Sequence, residues 1–133
     1  MLKTLKIIVN KYNPSVKGEF IVLFNSEFGN AEGFWANNSP KIGLSYEVEI
    51  DFIGEIIWEV NARNSADLCP RLEKNGNLTS IVAQLESIEE DGCCVLKIVD
   101  SIIFAEIKNI PNLALGKFIE MEVDSIKLYD TNI

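Results

Sequence analysis

Five carboxylates, Glu47, Glu49, Asp51, Glu55 and Glu59, stand in a stretch from Ile42 to Ala62 that contains neither lysine nor arginine. Paired carboxylates suggest three kinds of chemistry. Two of them ~6.5–9.5 Å apart suit an inverting glycosidase, but that reaction needs one carboxyl raised in pKa by a desolvated cleft. Divalent-cation binding needs carboxylates that converge, and neighbours on one face of a strand point in parallel. What remains is a charged surface that steers and docks a basic protein. Same-face neighbours on a strand lie ~6.6 Å apart and repel by only about 0.6 kcal/mol in water, so such a row is inexpensive to keep. A second row, Glu120, Glu122 and Asp124, alternates in the same way and would extend the surface if the two strands were neighbours.

Other chemistry is thinner. The chain has no histidine, which removes Ser-His-Asp and Cys-His nucleophile systems and nearly all catalytic zinc sites. Of three cysteines, Cys69 is alone and Cys93 and Cys94 are adjacent, so there is no CxxC and no spaced disulfide framework. Reduced thiols are expected, one of the vicinal pair facing the core, with only Lys97 nearby to lower a thiol pKa. An enzyme is therefore the less favoured class, and no cofactor or metal is expected. The formal charge of −8 opposes phosphate backbones and anionic membranes, and the basic residues form no cluster denser than Lys3, Lys6 and Lys11. No apolar run is long enough to span a bilayer, and Ile7 to Val9 is too short for a signal-peptide core, so a cytoplasmic protein is expected.

The elements that position these groups are strands. From Ser45 to Ala62, Tyr46, Val48, Ile50, Phe52, Ile56, Trp58, Val60 and Ala62 share one parity and the carboxylates the other, which predicts an apolar inner face and an acidic outer one. Gly54 leaves two alternatives: a hairpin with Ile53, Gly54 and Glu55 as its loop, or one long strand bent at the glycine. Leu2 to Tyr12 reads as a strand with Leu5, Ile7 and Val9 inward. A turn at Asn13-Pro14-Ser15 follows, and beyond Gly18 a strand over Glu19 to Asn25 that is apolar on both faces. Residues 26–41 read as a turn-rich loop carrying Phe28, Phe34 and Trp35, which either plugs one end of the fold or contacts a partner. Residues 65–77 read as a connection with one helical turn near Ala66 to Leu72. Leu78 to Ile88 and Cys93 to Ser101 form a hairpin around Asp91-Gly92. Ile102 to Lys108 is a further strand or a continuation, and Ile110 to Gly116 a turn or short helix. Lys117 to Tyr129 is a last strand whose apolar parity switches after Asp124, as at a bulge, and it ends in a frayed Tyr129 to Asn132.

Six to eight mostly antiparallel strands with little helix make one all-β domain over residues 1–133, a small barrel or sandwich. A long strand bent at a glycine early in the sheet resembles the oligonucleotide/oligosaccharide-binding (OB) barrel over Ile42 to Tyr129, with extra strands at the N-terminus. That resemblance implies a binder of single-stranded nucleic acid or a small ligand, with Phe28, Phe34 and Trp35 as stacking groups. In overall character, small, acidic, strand-rich and without histidine, the chain is similar to the immunity proteins of bacterial toxin–immunity systems. Those proteins often block a cationic nuclease toxin by mimicking the charge of its substrate. This second resemblance implies a basic protein partner, held by Glu47, Glu49, Asp51, Glu59, Glu120 and Glu122 with Phe34 and Trp35.

Overall fold

The structure is a computed structural model that describes residues 4–14, 19–36 and 39–131. Leu2, Lys3, Ser15, Gly18 and Asn132 lie outside the described residues. Within them the chain forms eleven strands and one 3-10 turn, so the all-β expectation holds.

Five strands close a barrel in the order β1-β2-β3-β11-β4, with β4 returning to β1. These are β1 (Leu5–Pro14), β2 (Phe20–Ser26), β3 (Gly29–Trp35), β4 (Ser45–Ile53) and β11 (Ser125–Asp130). Every pairing is antiparallel except β3 with β11, which is parallel through Lys127↔Phe34 and Leu128↔Trp35. A Cβ on Gly33 would sit 2.8 Å from Ile126 Cγ1 and 2.9 Å from the Ile126 carbonyl, so a glycine lets these two strands approach. A five-stranded closed barrel of this order is OB-like. It uses different residues from those expected: the N-terminal strands belong to the barrel, and most of the stretch after Gly54 is an insertion between β4 and β11.

That insertion folds as a second sheet in the order β5-β10-β7-β8-β9, with β6 also pairing β7. Its strands are β5 (Ala62–Asn64), β6 (Arg71–Asn75), β7 (Leu78–Ile88), β8 (Cys93–Ile98), β9 (Ser101–Glu106) and β10 (Phe118–Val123). The chain leaves the barrel at Gly54 and re-enters beside it at Asp124. Gly54 has φ +106°, and a Cβ there would lie 2.6 Å from the Asp124 carboxylate. The parity switch after Asp124 is thus a change of sheet rather than a bulge within one strand. The hairpin alternative at Gly54 is overturned, because β4 pairs β1 and β11 while β5 pairs β10. The bent-strand alternative describes the local path: the chain bends out of one sheet toward the other.

Several expectations need correction. Residues 29–35 are a strand, not a loop. Ala31, Gly33 and Trp35 point inward with the period of two that the surrounding glycines and asparagines obscured. No helical turn forms near Ala66 to Leu72, where β6 begins instead; the 3-10 turn is Asn112–Ala114. Val60 is 67% exposed, because Trp58 bridges Ala62 around a tight turn in which Glu59 takes φ +69°. The strand total exceeds six to eight because β3, β5 and β6 are added and the final strand divides into β10 and β11.

One apolar core runs through both sheets. Leu5, Ile7, Val9, Val48 and Ile50 from the barrel join Ile81, Ala83, Leu85, Leu96 and Met121 from the insertion. Trp35 is its largest fully buried side chain, set edge-to-face on Tyr46 with ring centroids 4.9 Å apart. No helix among the described residues is long and apolar enough to cross a membrane.

Candidate functional site

The row on β4 divides. Glu47 is half-buried, accepts a hydrogen bond from Thr4 Oγ1 at 3.0 Å and stands opposite Lys6 in the ladder with β1. Its carbonyl also takes the Thr131 amide at 3.1 Å and hydroxyl at 2.9 Å. Glu49 and Asp51 are exposed and make no ion pair or side-chain hydrogen bond among the described residues. Asp51 lies opposite Lys127 on β11, but that ammonium is 3.4 Å from Glu19 and 5.7 Å from the centre of the Tyr129 ring. Two carboxylates are left uncommitted.

They line a cleft of about 200 Å³ between β4 and β9, with Glu49, Ile50 and Asp51 on one wall and Ile102, Ile103 and Phe104 on the other. The cleft exists because the two strands belong to different sheets. Past the ends of both strands the chain segments are joined, where Ile57 bridges Lys108 in parallel: the Lys108 amide donates to Ile56 O at 2.9 Å, and the Trp58 amide to Lys108 O at 2.9 Å. Toward the other end Ser101 Oγ donates to Thr4 O at 2.6 Å. Phe104 is 45% exposed and pairs across the β8–β9 ladder with Val95, while Glu106 pairs with Cys93. At the closed end Lys108 Nζ donates to Glu55 at 2.7 Å, and that carboxylate raises the lysine pKa above its ordinary value.

The second acidic row is placed otherwise. Arg63 on β5 lies opposite Glu120 and reaches both Glu120 at 3.5 Å and Glu122 at 3.2 Å. The neighbours of β10 are β5 and β7, so it does not extend the β4 row, and that expectation is corrected. Glu59 sits exposed in its tight turn, outside the cleft lining. Phe34 is half-buried on the outside of the barrel, opposite Ile21. Trp35, at 1% exposure, belongs to the core and presents no surface to a partner.

Phe104 and Ile102 were missed by sequence reasoning. The signal available was the parity of IIFAEIK: Ile103, Ala105 and Ile107 are buried, and this places Phe104 on the outer face beside Glu106. The cysteines follow expectation in placement: Cys94 is buried, Cys93 is half-buried and Cys69 is exposed. Burial pushes both vicinal thiols up, and for Cys93 the carboxylates of Asp91, Glu89 and Glu106 push further in the same direction. Lys97 does not offset them. Among the described residues no three His, Cys, Asp or Glu side chains gather in a metal-binding group.

A second groove, of about 320 Å³, lies on the outer face of β1, β2 and β3. Its polar lining includes Asn10, Asn25 and Asn30, with the Asn10 amide donating to Asn25 at 2.7 Å, and Lys74 paired to Glu32 at 3.0 Å. Lys11 alongside carries no ion pair among the described residues. The charge is unevenly divided. Residues 54–123 hold six basic against twelve acidic residues, a net of −6, whereas the rest of the chain holds six against eight, a net of −2. No family model matches the chain, and no curated protein or solved structure is significantly similar to it.

Proposed function

We propose that this chain is a protein-binding module that engages a basic partner, in the manner of an immunity-type inhibitor that neutralises a cationic toxin. The observation that carries the reading is the cleft beside β4. There Glu49 and Asp51 make no ion pair among the described residues and line a cleft against Ile102 and Ile103, while the comparable carboxylates on β10 share the guanidinium of Arg63. Carboxylates without a cation of their own favour the docking of a basic protein, since association relieves their self-repulsion. The net charge of −8 adds long-range attraction for a cationic protein.

Co-purification from the native cell at low salt tests the reading. Wild type is expected to retain a basic protein in stoichiometric amount, released as salt rises, and Glu49→Lys with Asp51→Lys is expected to slow its association by about 10-fold or more. Retention of the same protein at an unchanged association rate by the charge-reversed variant defeats the reading.

A second reading has its own observation: the groove on the face of β1, β2 and β3 of an OB-like barrel, mostly apolar in its lining with Asn10, Asn25 and Asn30 among its polar groups, which suits a small ligand or the bases of a short single strand. Against nucleic acid, Lys74 and Lys127 are both paired to carboxylates, so few positive charges remain for phosphate. Titration with short DNA and RNA at low salt decides it, and absence of binding removes the nucleic-acid form.

A further inference from the structure

We propose that Asn75-Gly76, at the tip of the β6–β7 hairpin, is a self-modifying site: Asn75 converts to isoaspartate with release of ammonia, and the conversion loosens β6 from the barrel.

The reaction needs a side-chain amide that is free to turn and a following main-chain nitrogen that is free to attack it. It also needs a following residue with no side chain to obstruct the approach. Asn75 is the only asparagine of the chain followed by glycine. β6 and β7 pair down to Asn75↔Leu78, so Gly76 and Asn77 form a two-residue loop, and residues 75–77 are all exposed. Neither the Asn75 side chain nor the Gly76 amide makes a hydrogen bond among the described residues. Gly76 has φ +64°, and a Cβ there would meet nothing within 4 Å. Asn75 is extended, so attack requires rotation of its own main chain, but the last exposed pair of a hairpin is where fraying costs least.

The fold disarms the competing positions. In Asp91-Gly92 the carboxylate accepts the Cys93 amide at 3.0 Å, and the Gly92 amide donates to Glu89 O at 3.0 Å. Asn25 accepts the Asn10 amide at 2.7 Å, and Ser26 after it is held in β2. The Asn61 side chain is bound to Ile57, Glu55 and Glu122. Asn64 precedes Ser65, whose amide donates to Phe118 O at 2.9 Å.

In the first step the Gly76 nitrogen gives up its proton and bonds to Asn75 Cγ. The Cγ–Nδ2 bond breaks, and ammonia leaves with the proton. The product is a five-membered succinimide. Water then opens the ring at either carbonyl: attack at Cγ leaves aspartate, and attack at the main-chain carbonyl leaves isoaspartate, in which the chain runs through the side chain. One water is consumed, one ammonia is released and one negative charge is gained, with no oxidant or reductant. Isoaspartate puts an extra methylene into the main chain opposite Leu78, and so disturbs the register of β6 on β7. β6 ties the inserted sheet to the barrel through the Leu72 amide on Phe28 O at 3.0 Å and Lys74 on Glu32 at 3.0 Å.

Ageing of the full chain at mildly alkaline pH tests the proposal, followed by digestion with a glutamate-specific protease at acidic pH and mass spectrometry of peptide 74–86. Isoaspartate is expected at position 75 in excess of aspartate. It should form at least ~10-fold faster than at Asn25, Asn61 or Asn64, a barrier difference of about 1.4 kcal/mol. The rate should rise with pH, because the attacking nitrogen must lose its proton. Aged wild type is expected to be cut by trypsin at Arg71 faster than fresh protein. Asn75→Gln is expected to abolish both changes, since glutamine must close a larger ring. Freshly purified Asn75→Asp, which has the charge without the methylene, should be as resistant as fresh wild type. An Asn75 that outlasts Asn25 or Asn64 overturns the site, and isoaspartate at 75 without faster cleavage at Arg71 overturns its effect on β6.

Discussion

Two rows of alternating carboxylates, equivalent in sequence pattern, have opposite surroundings. On β10, Glu120 and Glu122 share the guanidinium of Arg63, and the row is closed off as part of the inserted sheet. On β4, Glu49 and Asp51 face a cleft and make no ion pair among the described residues. Both rows cost little to expose, so their charge does not say which is used. Only the strand that folding places alongside each row decides whether its potential is spent inside the protein or left for a partner. The Arg63 side chain is 38% exposed, so its two ion pairs are screened by solvent and act more as a fastening of β5 to β10 than as a large source of stability.

Substitutions can break this comparison at different depths. The largest effect is expected beneath the β4 row, where Trp35→Ala removes the buried ring packed on Tyr46. A loss of about 3–5 kcal/mol in denaturant unfolding is expected, against under ~1 kcal/mol for Phe34→Ala next to it on the outer face. Similar losses at both positions would return Trp35 to the surface and discard the barrel core described above.

The middle-sized effect contrasts the rows directly. Arg63→Met leaves Glu120 and Glu122 half-buried without their cation and is expected to cost about 0.5–1 kcal/mol after allowance for solvent. Asp51→Asn on β4 should change stability by a few tenths of a kcal/mol at most, because it breaks no ion pair among the described residues and trades repulsion from Glu49 against attraction from Lys127 on the opposite strand. Urea titrations of the two variants at low salt would show the difference in size, and an Asp51→Asn loss as large as that of Arg63→Met would mean that the β4 row is neutralised after all.

The smallest effect concerns the carboxylates of the inserted sheet near Cys93. Its thiol is raised by burial and then by Asp91, Glu89 and Glu106, so less thiolate is present at any given pH, and alkylation should gain speed only as pH climbs above the usual thiol range. Timed iodoacetamide labelling should modify exposed Cys69 first and buried Cys94 last. Cys93 labelled ahead of Cys69 at pH 8 would contradict the acidic environment assigned to that corner.

The sequence by itself determined what depends on near neighbours. Alternation with a period of two makes Leu5, Ile7, Val9, Val48, Ile50, Ile81, Ala83 and Leu85 inward residues, and each is buried. The Asp91-Gly92 turn makes the β7–β8 hairpin, and the lack of histidine removes its catalytic chemistry. The tertiary structure decided what depends on partners distant along the chain. Arg63 reaches across to Glu120 and Glu122, Gly33 lets β11 lie beside β3, and the chain exits at Gly54 to return at Asp124. The same distinction hid β3, whose inward positions include glycine and whose turn-forming residues imitate a loop. It also explains Val60, which keeps the parity of a strand in a segment where the chain has already turned. Side-chain alternation is a property of each strand's own backbone, but strand pairing is settled by packing and loop closure across the whole chain. The acidic row could therefore be read from one stretch of residues, while the cleft that Glu49 and Asp51 line required β9, some fifty residues further on, to come to rest beside β4.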